Sequence, residues 1–213
     1  MKGILITFEG GEGVGKTTQI KRLINRLELH KVPFVLTREP GGTALGESIR
    51  NLLKSSNAEV KINPVAELLL FCASRAQLVE EVISPALMQG RVVVCDRFFD
   101  STFVYQGIAR GIGVEYMQIL RALTLGDVWP TLTFVLDVDP AVARERALGR
   151  ALQEGKCPDR LETESMEFYK KVSDGYRQLA ASEPSRVKLI NARKDPAEIA
   201  EEIWSQVTHA IKL

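Results

Sequence analysis

Near the start of the chain, Gly10-Gly11-Glu12-Gly13-Val14-Gly15-Lys16-Thr17 sets glycines, one lysine and one hydroxyl in an order that suits phosphate chemistry. The glycines allow successive backbone N–H groups to curl around a triphosphate, Lys16 reaches its β- and γ-phosphates, and the Thr17 hydroxyl can ligate Mg²⁺. The apolar run Ile4-Leu5-Ile6-Thr7-Phe8 precedes the loop and a helical pattern follows it. That order of strand, loop and helix makes the segment a Walker A loop, and the helix opening near Gly15 adds its positive end to the same anion. A tight glycine-rich connection with a chance lysine would not need all three in register. Gly10, Gly11, Glu12, Gly13, Val14, Gly15, Lys16, Thr17 and Thr18 therefore form the expected nucleotide site.

A second phosphate is foreshadowed by two arginines at strand ends. The run from Phe34 to Thr37 leads into Arg38-Glu39-Pro40-Gly41-Gly42-Thr43, and the run from Val92 to Cys95 leads into Asp96-Arg97. Guanidiniums bind oxyanions with a planar fork, so a pair of them at the edge that carries the Walker loop suits another phosphate. The plain alternative is that each arginine pairs with its neighbouring acid, Glu39 or Asp96. Asp96 also stands where a Walker B carboxylate would hold Mg²⁺, directly or through water.

Phe71 and Arg75, four apart in a helical pattern that opens at Asn63-Pro64, project together. They can stack a base and donate to its carbonyl, or Phe71 can lie in the core with Arg75 snorkelling over it; spacing leaves both open. The same pattern predicts a buried stripe of Val65, Leu68, Leu69, Cys72, Ala76 and Val79. After Arg97, Asp100-Ser101-Thr102-Phe103-Val104-Tyr105-Gln106 offers hydrogen-bonding groups for a polar pocket or a helix cap. Arg144, Arg146, Arg150, Lys156 and Arg160 crowd a stretch containing Gly149, Gly155 and Pro158, which reads as a mobile basic lid over residues 144–160 rather than a packed helix.

These groups need a scaffold that gathers strand ends. Ile20, Leu23, Ile24 and Leu27 mark one face of the helix after the loop, and the runs Leu132 to Val138 and Val187 to Ile190 complete five candidate strands separated by helical patterns. Asp195-Pro196-Ala197-Glu198 supplies an N-cap, a proline at the first helical position and a capping acid for Ile199, Ile203 and Val207. The expected fold class is α/β, a mostly parallel sheet covered by helices on both faces, in a single domain over all 213 residues. Lys plus Arg number 28 against 27 Asp plus Glu, so the net charge of +1 gives no broad field for nucleic acid or an anionic membrane. The first apolar run ends at Glu9, too short for a signal or membrane segment. Cys72, Cys95 and Cys157 show no metal-ligand spacing and suit a reduced cytoplasmic protein.

Taken together, the chain resembles the bacterial thymidylate kinases over essentially its whole length. The resemblance rests on Phe8-Glu9-Gly10 running into the Walker loop, on Thr37-Arg38-Glu39-Pro40-Gly41-Gly42-Thr43, on Asp96-Arg97 with Ser101 and Tyr105-Gln106, and on Asp159-Arg160-Leu161-Glu162. It implies a P-loop kinase fold with strand order 2-3-1-4-5, a homodimer, and transfer of the ATP γ-phosphoryl to dTMP with Mg²⁺. It further implies that Arg97 and Arg38 hold the dTMP phosphate, with Ser101 in the same site, and that Phe71 stacks on thymine while Arg75 meets its carbonyl. Glu12 would approach the sugar 3′-OH, Thr102 or Gln106 would bond the base, Tyr105 would crowd the 2′ position and Leu53 would pack near sugar and base. The family divides into members with an arginine inside the Walker loop and members with catalytic basic residues in the lid. Here Gly11, Glu12, Gly13 and Val14 fill the variable loop positions, so the lid type is implied, with Arg146 and Arg150 as its catalytic residues and Lys156 and Arg160 as helpers. The sequence around Gln153 to Cys157 departs from the family pattern.

Two other nucleotide-binding functions fit the Walker loop less well. A deoxynucleoside kinase would need to deprotonate a neutral hydroxyl, and the Arg38 segment argues against it. A GTP-dependent switch would read guanine through Asn-Lys-x-Asp, which Asn191-Ala192-Arg193-Lys194-Asp195 does not match.

Overall fold

A computed structural model describes residues 3–54, 62–153, 160 and 163–213, with the backbone alone for Arg150 and Ala151. Five parallel strands, β1 (Ile4–Glu9), β2 (Phe34–Arg38), β3 (Val92–Asp96), β4 (Leu132–Asp137) and β5 (Val187–Asn191), form one sheet in the order β2-β3-β1-β4-β5. The three central strands are almost wholly buried, as continuous apolar runs covered on both faces must be, whereas edge strands β2 and β5 each expose part of their length.

Alternate side chains enter opposite layers. Ile6, Phe8, Val92, Val94, Phe134 and Leu136 pack on α1 (Lys16–Leu29) and α9 (Pro196–Ile211), through Ile20, Leu23 and Leu27 and through Ile199, Ile203 and Val207. On the other face Leu5, Val93 and Cys95 meet α3 (Pro64–Leu78), which continues through a π turn into α4 (Ser84–Met88), while Val135 meets α8 (Met166–Ser182). The expected Asp195 cap forms, accepting from the Ala197 amide, and Asn63 likewise caps α3 by accepting from the Val65 amide.

Register does the positioning. Phe8 pairs with Asp96 and Asp96 with Arg38, so the strand ends that carry the Walker loop, Arg97 and Arg38 come level at one edge. Beyond β3, α5 (Phe99–Thr102) passes into a π segment, Phe103–Ala109, that presents Tyr105 and Gln106. A π bulge at such a place is a common mark of a functional site.

Two expectations fail. Leu68, Cys72 and Val79 are buried, but Val65, Leu69 and Ala76 face outward, Leu69 with 55% of its surface exposed. The helix is apolar on more than one side, and its packing against α2 (Ala44–Lys54) and α6 (Met117–Leu125) turns the Leu68–Cys72 side inward. The basic stretch is also not loop-like where it begins. Residues Pro140–Gln153 form α7, with Ala143 and Ala147 buried, and Gly149 is carried inside it at a cost of about 1 kcal/mol that packing offsets. Lys156, Asp159, Leu161 and Glu162 lie outside the described residues.

One buried polar network ties the layers. Thr7 and Thr133 share a hydroxyl hydrogen bond at 2.7 Å, Thr133 donates to Asp100 at 3.1 Å, and Arg186 meets Asp100 through two bonds of 2.7 and 3.1 Å. Removing one partner strands the other charge, which typically costs about 3–5 kcal/mol. Asp100→Ala should lose about that much stability in urea unfolding, and a loss below about 1 kcal/mol would show that the pair contributes nothing.

Candidate active site

Gly10, Gly13 and Gly15 adopt φ of 122°, 74° and 100°, the backbone that shapes the loop into a cradle. A Cβ on Gly13 would lie 2.1 Å from the Ala143 carbonyl oxygen, so α7 rests directly against the loop and only glycine fits between them. Lys16 is buried, and its Nζ donates to the carbonyls of Gly10 at 3.1 Å and Gly11 at 2.7 Å. Burial, and secondarily Arg97, lower its pKa to about 8. Thr17 and Thr18 lie exposed in the first turn of α1.

Arg97 has φ of 68°, a backbone region that L residues seldom adopt, and this turns its side chain back over the Walker loop. Its Nη1 donates to the Gly10 carbonyl at 3.0 Å and to Ser101 Oγ at 3.3 Å, its Nη2 donates to Glu12 Oε1 at 2.6 Å, and the guanidinium lies 5.2 Å from the Tyr105 ring centroid. Arg38 reaches Glu47 through bonds of 2.9 and 3.0 Å, and Glu47 is also held by the Gly42 amide. Neither arginine pairs with its sequence neighbour, because Arg97 finds Glu12 and Arg38 finds Glu47.

Glu39 instead belongs to Arg75, which is only 1% exposed. Arg75 does not snorkel. It lies under the site, donating to Glu39 and, through Nη2, to Thr102 Oγ1 at 2.9 Å, while Nη1 has no acceptor among the described residues. Phe71 is half-buried one turn earlier, Leu53 is buried on α2, and Tyr105 and Gln106 are buried on the π segment. Arg146 is exposed on α7 next to the loop; the side chain of Arg150 lies outside the described residues.

Asp96 Oδ1 is buried with no hydrogen-bond partner among the described residues, an orphan acceptor at the end of β3. Among the described residues no three His, Cys, Asp or Glu side chains cluster to hold a metal by themselves. A cation here would be shared with phosphates, as Mg²⁺ commonly is.

The sequence offered Glu9 only as part of a motif, Glu39 only in a motif and as a neighbour that Arg38 could pair with, and Glu67 and Tyr176 not at all. A lone acid inside an apolar run was the available signal for Glu9 and Glu67. Glu9 is fully buried and accepts from the Phe98 amide at 2.8 Å, Ser101 Oγ at 2.6 Å and Tyr176 Oη at 2.7 Å, so it fixes the turn that carries Arg97. Burial first, and then Asp100, raise its pKa from 4.5 to about 7. A folded carboxyl that keeps its proton to about 7 supplies stability that is full below 4.5 and lost as pH rises through 7. At 1.36 kcal/mol per pKa unit the loss is about 3 kcal/mol. Glu9→Gln should flatten the fall in unfolding free energy between pH 5 and 8; an unchanged slope would remove Glu9 as its source.

The profile of the thymidylate kinase family matches residues 8–203. The chain is 47% identical to the thymidylate kinase of Synechococcus sp. (strain JA-2-3B'a(2-13)) over 99% of this chain and 97% of that protein. It is 44% identical to the thymidylate kinase of Chlorobium chlorochromatii over 99% and 96%. The crystal structure of thymidylate kinase from Ehrlichia chaffeensis matches 98% of this chain and 99% of its own with a TM-score of 0.77 at 37% identity. A match of this extent, on a fold whose strand order brings Lys16, Arg38, Asp96 and Arg97 to one edge, means that the chain belongs to the thymidylate kinase family.

Proposed function

We propose that this chain transfers the γ-phosphoryl group of ATP to dTMP, giving ADP and dTDP. The observation that carries the reading is Arg97, which is rooted beyond β3 yet bonded to Gly10 and Glu12 of the Walker loop, so that an acceptor phosphate on this guanidinium lies beside the donor triphosphate. Lys16 exchanges its two carbonyl partners for the β- and γ-phosphates. Arg97 and Arg38 take the dTMP phosphate, Ser101 steadies Arg97, and Glu12, released from Arg97, turns to the sugar 3′-OH. Phe71 stacks on the thymine, the unpartnered Nη1 of Arg75 donates to its carbonyl, Thr102 and Gln106 complete the base pocket, Leu53 closes its apolar side and Tyr105 crowds the 2′ carbon.

The acceptor phosphate is already ionised, so catalysis reduces to aligning two phosphates and neutralising their charge. Thr17 and Asp96 would hold Mg²⁺, directly or through water, and the orphan Asp96 oxygen fits that use. Bound there, the cation would spread the phosphates' charge. Arg146 and Arg150, one turn apart on α7 and close to the loop, meet the charge on the transferring group. The proposal extends to a homodimer in the cytoplasm. Leu45, Leu52, Val65, Leu69, Ile119 and Leu123 are exposed on α2, α3 and α6, which pack in series and offer an apolar surface for a second copy. Cys72 and Cys95 are buried free thiols, and none of the described helices is long and apolar enough to cross a membrane.

A coupled assay with ATP and dTMP, thymidine or no acceptor tests the activity: turnover is expected with dTMP alone. Arg97→Ala should weaken dTMP binding in calorimetry while ATP binding persists, and normal dTMP affinity would remove Arg97 from the acceptor site. Arg146→Ala or Arg150→Ala should lower kcat by up to roughly 10³–10⁵ with a smaller change in KM. Near-normal single-turnover transfer in both variants would assign the charge to another group.

A further inference from the structure

Glu67 stands in the apolar first half of α3 with none of its surface exposed, and both of its oxygens are occupied. Gln106 Nε2 donates to Oε1 at 2.7 Å, Arg110 Nε approaches the same oxygen at 3.5 Å, and Arg160 Nη2 pairs with Oε2. Arg110 is itself fixed by Glu164 at 2.6 Å and by the Phe168 ring, 4.5 Å from its guanidinium. A buried carboxylate is expensive unless paired, and here two guanidiniums and one amide converge on it. The amide stands out, because Gln106 belongs to the expected base pocket.

A glutamine side chain can present either its oxygen or its NH₂ to a ligand, and only its other contacts decide which. A carboxylate held by guanidiniums accepts and does not donate. Glu67 therefore takes the Gln106 NH₂, and the amide oxygen must face the opposite way. Among the described residues none donates to that oxygen. Pyrimidines differ at this point. Thymine and uracil carry a hydrogen on N3 and can donate to a carbonyl, whereas cytosine presents an N3 lone pair that would be repelled.

We propose that Glu67 is a positioning residue that fixes the amide polarity of Gln106 and thereby selects acceptor nucleotides whose base donates from N3. The proposal rests on the acceptor reading above and adds the group that enforces it. If the carbonyl that Arg75 meets is O4, where cytosine carries an amino group, Arg75 discriminates in the same direction, and loss of Glu67 then relaxes selectivity without abolishing it.

In Glu67→Gln the partner at position 67 can donate or accept, and Gln106 is free to turn over. The expected result, in the coupled assay, is about a tenfold rise in KM for dTMP with kcat within about threefold, and about a tenfold rise in kcat/KM for dCMP relative to dTMP. The ratio for dUMP to dTMP stays unchanged, since both bases carry the N3 hydrogen. A general loosening of the pocket would move the dUMP ratio as well and would overturn the proposal, as would an unchanged dCMP ratio. Absence of dTMP turnover in the unaltered protein would overturn the acceptor reading and this one with it, whereas unchanged ratios on an active parent overturn this one alone. Should Glu67→Gln not fold, ¹⁵N NMR of the unaltered protein decides. The Gln106 NH₂ pair must show contacts to the Glu67 methylenes with and without dTMP, and an amide pair turned toward the base overturns the proposal.

Discussion

The mutual repulsion of Lys16 and Arg97 sets the terms for the rest of this site. Lys16 is buried and Arg97 partly buried at one edge of the sheet, and Arg97, after burial, is a cause of the low pKa of Lys16. The cations that two phosphates require are thus unfavourable to one another before any phosphate arrives. Acids offset this: Glu12 pairs with Arg97, and Glu12, Asp96 and Glu9 all raise the pKa of Lys16. Arg38 on Glu47 and Arg75 on Glu39 follow the same pattern. In the proposed reaction phosphates replace protein acceptors one for one, so the field that meets them is organised in advance and costs little to assemble.

Such an arrangement needs a rigid frame, and the frame is built from groups outside the proposed substrate contacts. Glu9 joins the end of β1 to the turn after β3 and to Tyr176 on α8, and Asp100, next to Ser101, is anchored by Arg186 and by Thr133 on β4. The left-handed backbone of Arg97 is therefore supported from three sides. Gly13, pressed against α7, makes the loop and the basic helix one unit, so the residues proposed to meet the transferring phosphoryl are carried by the same contact that shapes the loop.

The strands were legible because central strands of a parallel sheet are continuous apolar runs, and the Walker loop because its spacing is dictated by phosphate geometry. The inward face of α3 was not, since Val65, Leu68, Leu69 and Cys72 give it apolar residues on adjacent sides and only tertiary packing chooses between them. Gly149 suggested a loop, but one glycine costs a helix too little to end it when Ala143 and Ala147 are packed. The partners of the arginines were beyond reach as well. Arg97 and Glu12 are 85 residues apart, and no local rule joins them.

The two ends of the proposed acceptor site differ in how much is already in place. Arg75 is enclosed, clamped by Glu39 and Thr102, and has no conformational freedom left to lose, so the base-reading end is set before binding. Arg38 is different: its side chain is 49% exposed and its contact with Glu47 is a surface pair, worth about 1 kcal/mol or less. A long side chain held so weakly can leave its acid for a phosphate at small cost, though it gives up rotamer freedom when it does. Arg97 lies between these extremes, fixed in its backbone but tied at its tip to a loop carboxylate that has a second proposed use. In the proposed site, recognition of the base is thus a property of the resting fold, whereas the phosphate clamp would be completed by the substrate that it holds.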